Sequence, residues 1–392
     1  MLNKVEPGLI LCDKEPKKKI LRQGKVKRRK SREVKVGKLK IGGGSPVVVQ
    51  GMTKTKTEDA AATVAQIRKL SQAGAKVVRI ALPNMVAARA LTKIRAEVDT
   101  PLVADIHFNY KLALEAIERG IDKVRVNPGN MGKKEILKIA EKAKKRGIPL
   151  RVGINSGSLE GGLLKDHFLK GKVRGGEEER YRTTVAQAMV KSALNTVKLL
   201  EKVDFLDIVV SLKANDVLTT ILSYQLISDE IPYPLHLGIT ASGPPPEGII
   251  KSSIGIGALL FQGIGDTIRV SLTYDPVEEV KIGYKILKSL GLFKEGPDLI
   301  SCPTCGRCRV DLESIAKEVF SEIEGIKIPL KIAVMGCEVN GPGEAREADI
   351  GIACTKRGGT LFKKGKPLRK VKEKDIVRVL LEEIEKMSQE AD

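Results

Sequence analysis

Four of the six cysteines in this chain of 392 residues fall between Cys302 and Cys337, and that crowding is the first chemical signal. In Cys302-Pro303-Thr304-Cys305 two thiols share one turn, a spacing that lets both thiolates grip one metal centre. Cys337 arrives from a distant segment, at the end of a strand-like run from Lys331 to Met335. Directly after it comes Glu338-Val339-Asn340-Gly341-Pro342-Gly343-Glu344, whose Gly and Pro bend the chain back and bring Glu344 round as an oxygen donor. Three soft ligands suit an iron-sulfur cluster or a zinc ion. A structural zinc takes Cys308 as its fourth sulfur, whereas a cluster on Cys302, Cys305 and Cys337 takes Glu344. The spacing does not match the CxxxCxxC of radical-SAM enzymes, and six unevenly placed cysteines do not make a disulfide framework. Cys12 and Cys354 read as free small residues.

A second set of candidate groups is cationic. Arg79, Arg125, Arg151, Lys213 and Arg269 each interrupt a run of Val, Ile and Leu. Brought together they suit a ligand carrying two phosphates, and without an anionic partner they are costly to bury. The same runs end in Gln50 and Thr53, Asp105 and His107, Asn127 and Asn130, Asn155, Ser211, Thr240 and Ser271. His107 and His236 stand beside the cations and read as ligand contacts or proton-transfer groups, while His167, among Lys165, Asp166 and Lys170, reads as a surface residue. No Walker A loop is present, and Gly42-Gly43-Gly44-Ser45 precedes a strand instead of opening a helix, so it reads as a turn.

The elements that must position these groups alternate regularly. Strands are expected at Val47 to Thr53, Val77 to Pro83, Leu102 to Ile106, Lys123 to Asn127, Leu150 to Asn155, Phe205 to Lys213, Leu235 to Thr240 and Thr267 to Thr273. Helical periodicity lies between them, as in Val64, Ile67 and Leu70, with Thr57 as the expected cap and Glu58 and Asp59 as an acidic first turn. Eight repeats over about 250 residues fit a (β/α)8 TIM-type barrel, with an open doubly wound sheet as the alternative. After Gly291 and Pro297 the pattern changes to a small α/β unit: a helix from Asp311 to Glu324, strands at Lys331 to Met335 and Asp349 to Ala353, and a helix from Lys374 to Met387. The expected organisation is a basic arm over 1–35, a substrate-binding barrel over 36–295 and a cluster-bearing α/β domain over 296–392.

The formal charge of +21 invites a nucleic-acid reading, but Lys17 to Lys40 alone holds 13 Lys or Arg against one Glu. Aromatics are 3% with no Trp, which removes the stacking platforms of single-strand binders, so no nucleic-acid partner is expected and the arm reads as a solvated basic face. An enzyme of this kind is expected to keep its activity when Lys17 to Lys40 is deleted, whereas an RNA-binding protein built on the arm is not. The longest apolar runs fall short of the roughly 20 residues of a membrane span, and no apolar signal region opens the chain, so a cytoplasmic protein is expected.

Several strings together carry a resemblance: Val103-Ala104-Asp105-Ile106-His107-Phe108, Arg125-Val126-Asn127-Pro128-Gly129-Asn130, Ser211-Leu212-Lys213-Ala214, Pro234 to Thr240, Gly263-Ile264-Gly265-Asp266-Thr267 and Cys302 to Arg307. From about Val36 to the C-terminal helix the chain resembles the 4-hydroxy-3-methylbut-2-enyl diphosphate synthases of the non-mevalonate isoprenoid pathway. The resemblance implies a homodimer, a [4Fe-4S] cluster on Cys302, Cys305, Cys337 and Glu344, and electrons from ferredoxin or flavodoxin. It implies 2-C-methyl-D-erythritol 2,4-cyclodiphosphate as substrate, bound by Arg79, Asp105, Arg125, Asn130, Arg151, Asn155, Lys213, His236, Arg269 and Ser271. Glu344, an exchangeable ligand, and His107, a proton-transfer candidate, take the catalytic roles. Two departures stand out. Ala241 follows Thr240 where many relatives carry an acid, with Glu247 close by, and Cys308 stands where relatives usually have a residue that cannot ligate iron.

Overall fold

The structure is a computed structural model of the chain and describes residues 21, 22, 25–159 and 176–390. It divides into a unit ending at Phe293 and a second beginning at Lys294.

In the first unit eight parallel strands, β1 (Val48–Met52), β2 (Val77–Ala81), β3 (Leu102–Asp105), β4 (Lys123–Val126), β5 (Leu150–Asn155), β6 (Ile208–Lys213), β7 (His236–Leu237) and β8 (Thr267–Ile268), stand in the order β6-β5-β4-β3-β2-β1-β8-β7. The two ends of that sheet meet where Val210 forms a parallel bridge with Leu235 and donates its N–H to the Pro234 carbonyl at 2.9 Å. The sheet is thereby a (β/α)8 TIM-type barrel and not an open doubly wound one.

Six strands run close to the lengths expected, but β7 and β8 hold a regular ladder for only two residues each. Past them the backbones crowd: a Cβ at Gly238 would lie 2.5 Å from the Arg269 carbonyl oxygen and 2.6 Å from Lys213 Nζ. Pairing continues irregularly, with the Arg269 N–H donating to Leu237 at 3.0 Å and the Thr240 N–H to Ala214 at 3.1 Å.

Helices α1 (Ala60–Gln72), α2 (Met85–Glu97), α3 (Tyr110–Glu118), α4 (Lys133–Arg146), α5 (Glu177–Glu201), α6 (Val217–Ser228), α7 (Glu247–Phe261) and α8 (Pro276–Ser289) surround the barrel. Val64, Ile67 and Leu70 are buried as their spacing requires. The cap of α1 is Asp59, whose carboxylate accepts the Ala62 N–H at 3.0 Å. Thr57, expected there, sits too far ahead of the helix and donates its hydroxyl to the Ala81 carbonyl at 2.7 Å. Cys12 and His167 lie outside the described residues.

The basic arm departs from expectation. A hairpin of Val34–Val36 with Leu39–Ile41 covers the N-terminal end of the barrel, burying Val36 and Ile41 against Val48, Val77 and Val103. Ahead of it, Arg29 donates to the carbonyls of Ser228 at 3.0 Å and Ile231 at 2.6 Å, and Arg28 pairs with Asp266 at 3.1 Å. These residues make structural contacts, so deletion through Lys40 removes apolar cover from the barrel and is expected to cost stability.

The second unit is a five-stranded sheet, β9 (Asp298–Ser301), β10 (Lys331–Met335), β11 (Ile350–Thr355), β12 (Gly358–Lys363) and β13 (Lys366–Val371), paired in that order. The first three strands are parallel and the last two antiparallel. Helices α9 (Leu312–Glu322), α10 (Gly341–Arg346) and α11 (Ile376–Gln389) complete it. Leu312, Val319, Val379, Leu380 and Ile384 share a core with Ile332, Val334, Ile350 and Ile352. Sequence reading misses β9, β12 and β13. The β12–β13 turn is nevertheless written in the chain, since Lys364 and Gly365 both take positive φ, 49° and 79°, as a two-residue hairpin loop requires.

Candidate active site

At the C-terminal mouth of the barrel a polar pocket of about 80 Å³ gathers Arg79, Arg125, Arg151, Lys213 and Arg269. Asp105, His107, Asn155 and Ser271 share its lining, and Ser211, Thr240 and Ile239 complete it. Ile239 was not singled out from sequence. Two expected contacts lie just behind the lining: Asn130 meets the His107 ring, and His236 stands behind Lys213. Glu247 opens α7 as an exposed residue, and Ala241 is exposed at φ 49°.

Strand register sets the order of charges. Asp105 pairs with Arg125, and Arg125 with Arg151, so one carboxylate stands beside a row of guanidinium groups. Arg125 Nη1 lies 3.2 Å from Asp105 Oδ1 while its Nη2 donates to the Gly153 carbonyl at 3.0 Å. A Cβ at position 153 would stand 2.4 Å from Arg125 Nε, so glycine there admits the side chain. Arg79 turns its Nε and Nη2 to Met52 Sδ, at 3.0 and 2.8 Å, and lies 3.9 Å from Asp105. Burial opposes ionisation of Asp105, but Arg79, the His107 ring, Arg125 and Arg151 together hold its carboxyl well below the ordinary value.

His107 has both ring nitrogens engaged. Arg125 Nη1 stands 2.8 Å from Nε2, and a guanidinium can only donate, so Nε2 accepts and the proton sits on Nδ1. Nδ1 is 3.0 Å from the Asn130 amide nitrogen; turning that amide over about its last bond brings its oxygen to the same place, where it accepts the Nδ1 proton.

Deeper in the lumen the cations outrun their partners. Lys213 Nζ is 3.3 Å from His236 Nε2, and His236 Nδ1 is 2.6 Å from Thr267 Oγ1. Burial first, then Arg151 and Arg79, lowers the Lys213 pKa far below normal, and burial with Lys213 does the same to His236. Arg151, 1% exposed, has no hydrogen-bond partner at Nε or Nη1 among the described residues. Lys123, fully buried, has none at Nζ, and burial followed by Arg151 and Arg79 brings its pKa down to about 7. Unsatisfied cationic donors around a pocket suit an anionic ligand.

One buried acid near the site was missed from sequence. Glu279 of α8 lies 3.1 Å from Arg269 Nη2 and 3.2 Å from Lys54 Nζ, and accepts the Leu272 N–H at 2.8 Å. Its signal was available: an acid among Pro276, Val280, Gly283 and Leu287 on the buried face of a helix is out of place without a cationic partner.

In the second unit Cys302 and Cys337 come from neighbouring segments. Cys302 Sγ accepts the Gly336 N–H at 3.3 Å, and Arg309 donates its N–H to the Gly336 carbonyl at 3.0 Å. The Cys337 thiol is held below its ordinary pKa by the backbone N–H groups of Val339, Asn340 and Gly341 and by the Arg307 side chain, an environment that favours thiolate. Cys305 and Glu344 are exposed, and among the described residues no three His, Cys, Asp or Glu side chains converge as a metal cage. The donor chemistry suits a soft metal group even so: thiols on facing loops, one of them with its pKa held below the ordinary value. Cys308 donates its thiol to the Val310 carbonyl at 3.3 Å. Burial, with Cys308 and Cys302 nearby, pushes the Cys354 thiol up to about 12, so that group stays protonated.

Among the described residues no helix is long and apolar enough to cross a membrane. Comparison with known proteins matches residues 31–284 to the GcpE TIM-barrel domain and residues 298–386 to the GcpE protein C-terminal domain. The 4-hydroxy-3-methylbut-2-en-1-yl diphosphate synthase (flavodoxin) of Caldanaerobacter subterraneus subsp. tengcongensis is 53% identical over 93% of this chain and 99% of its own length. The protein of the same name from Thermodesulfovibrio yellowstonii is 50% identical over 92% of this chain and 100% of its own length. Among solved structures, the dihydropteroate synthase of Stenotrophomonas maltophilia is similar at 13% identity and a TM-score of 0.45, over 62% of this chain and 93% of that one. With both domain models matched and half its residues shared with such relatives along nearly their whole length, the chain belongs to the 4-hydroxy-3-methylbut-2-en-1-yl diphosphate synthase family of oxidoreductases.

Proposed function

We propose that the barrel pocket binds 2-C-methyl-D-erythritol 2,4-cyclodiphosphate and that the chain reduces it to 4-hydroxy-3-methylbut-2-enyl diphosphate, the step its family performs in the non-mevalonate isoprenoid pathway. The observation that carries this reading is the lining itself: five cations and one carboxylate on a pocket with unsatisfied donors. Two electrons and one proton enter the dianion; the ring carbon–oxygen bond to phosphate breaks, a hydroxyl leaves as water, and a trianionic allylic diphosphate remains. Charge grows on the departing phosphate oxygen, which is where fixed guanidinium groups lower the barrier.

In this reading Arg79, Arg125, Arg151, Lys213 and Arg269 hold the two phosphates, and Asn155 and Ser271 orient the carbon chain. Asp105 keeps Arg79 and Arg125 in place. His107 handles a proton at Nδ1, with Asn130 behind it, and His236 acts through Lys213. Cys302, Cys305, Cys337 and Glu344 would hold a [4Fe-4S] cluster, supported by the thiolate environment of Cys337 and the contact of Cys302 with Gly336. When bound, such a cluster supplies electrons one at a time. Flavodoxin stands in the names of the relatives and is the donor favoured over ferredoxin, and the reading includes a cytoplasmic homodimer.

Anaerobic purification tests it. A brown protein with about four irons and four sulfides per chain, which consumes the cyclic diphosphate when given a reduced one-electron donor, supports the proposal. A colourless protein holding stoichiometric zinc and inert toward that substrate overturns it.

A further inference from the structure

We infer that Glu279, which lines no part of the pocket, is a positioning residue for ligand binding and holds Arg269 from outside the barrel so that its remaining N–H groups face the ligand. The inference rests on the diphosphate reading above and adds a residue to it.

Arg269 follows β8 directly, past the regular ladder that stops at Ile268; its backbone N–H still pairs with the Leu237 carbonyl at 3.0 Å, but that pairing leaves the guanidinium at the end of a long side chain to be held by something else. A guanidinium in such a place needs an external partner. Glu279 supplies it, with Oε2 on Arg269 Nη2 at 3.1 Å. Its other oxygen accepts the Leu272 N–H at 2.8 Å and pairs with Lys54 at 3.2 Å. Lys54 in turn donates to the Leu272 carbonyl at 2.9 Å. One carboxylate, 2% exposed, thus ties the segments after β1 and β8 to the first turn of α8. The Arg269 Nε stays buried without a partner among the described residues, a donor left over on a side chain that lines the pocket.

Asp105 does comparable work for Arg79 and Arg125, but as a member of the lining, where its charge faces the ligand. Glu279 orients its arginine from behind. A plain clamp between helix and loop makes a different prediction, because its loss acts on the fold whether or not Arg269 is present.

The test is calorimetric titration of the full chain with inorganic diphosphate, using wild type, Glu279→Gln, Arg269→Ala and the double variant. Glu279→Gln is expected to weaken binding about tenfold in the wild-type background, the scale of one hydrogen bond to a charged group, and to have no further effect once Arg269 is Ala. In turnover of the cyclic diphosphate it is expected to raise KM while kcat stays within about twofold. Wild-type affinity in Glu279→Gln, or an equal loss in both backgrounds, overturns the inference. If Glu279→Gln does not fold, Glu279→Asp is measured in the same cycle: its shorter side chain is expected to lose affinity only where Arg269 is present, and equal losses again overturn the idea. Wild-type protein that fails to bind inorganic diphosphate sinks the diphosphate reading and this inference together, whereas binding without coupling sinks this inference alone.

Discussion

The barrel lumen and the thiol-bearing loops are two sites built in opposite ways. In the lumen, charged side chains are fixed before any ligand arrives: Arg125 is held by Asp105 and a backbone carbonyl, Lys213 by His236, and Arg269 by Glu279. In the second unit Cys305 and Glu344 stand exposed on a turn and a six-residue helix, while the Cys337 thiol has an environment that favours its ionised form. A site for a diffusible anion must be organised in advance, since the ligand meets it many times. A site for a resident metal group can leave ordering to the group, because the binding energy of the metal is spent once, as the protein matures.

Changes to the two regions sharpen that contrast. The largest effect is expected for Cys337→Ser: the brown colour and turnover fall to background together, while calorimetric binding of inorganic diphosphate stays at the wild-type level. Retained turnover in that variant ends the cluster assignment.

Asp105→Asn comes next. Removing the acid strands Arg79, Arg125 and Arg151 beside one another, and losing one partner of a buried pair costs about 3–5 kcal/mol. Thermal unfolding should show a drop in Tm of about 5–15 °C, partly reversed by inorganic diphosphate. An unchanged Tm contradicts the preorganised lumen.

Lys123→Met is expected to stabilise the protein in a pH-dependent way. With the native pKa near 7 and the ordinary value 10.5, the unfolded chain binds a proton between those limits that the folded one does not. The cost of burying Lys123 is therefore full below pH 7 and fades as pH rises toward 10. The variant should gain on the order of 2–4 kcal/mol at neutral pH and nothing near pH 10, read from denaturant midpoints at both. A gain that is flat with pH rules out an ionised lysine as its source. The smallest effect is expected for Cys308→Ser, which should keep its full iron content; loss of iron there moves the fourth ligand from Glu344 to Cys308.

The sequence was most legible where one physical rule acted alone. Arginines and a lysine set in apolar strands imply that the fold brings them together, and the structure gathers all five in one pocket. Alternation and length named the barrel, although its closure rests on the Val210–Leu235 bridge and the Thr240–Ala214 bond, which no strand count contains. What escaped depends on contacts between distant segments. His236 reads as a ligand contact because it ends a strand beside Lys213; the structure sets it behind that lysine, with Nε2 3.3 Å from Lys213 Nζ and Nδ1 2.6 Å from Thr267 Oγ1, contacts that sequence spacing does not contain. β13 escaped for a simpler reason: five of its six residues are exposed and three are basic, so it carries no alternation to read.

The docking of Arg28, Arg29 and the Val34–Ile41 hairpin beneath the barrel has a practical side. Anyone shortening the protein for crystallisation, or fusing a partner to its front, must leave Arg28 and the residues after it in place. A cut a few residues later uncorks the scaffold from below, and the damage would surface as poor yield, easily mistaken for a fault in iron loading.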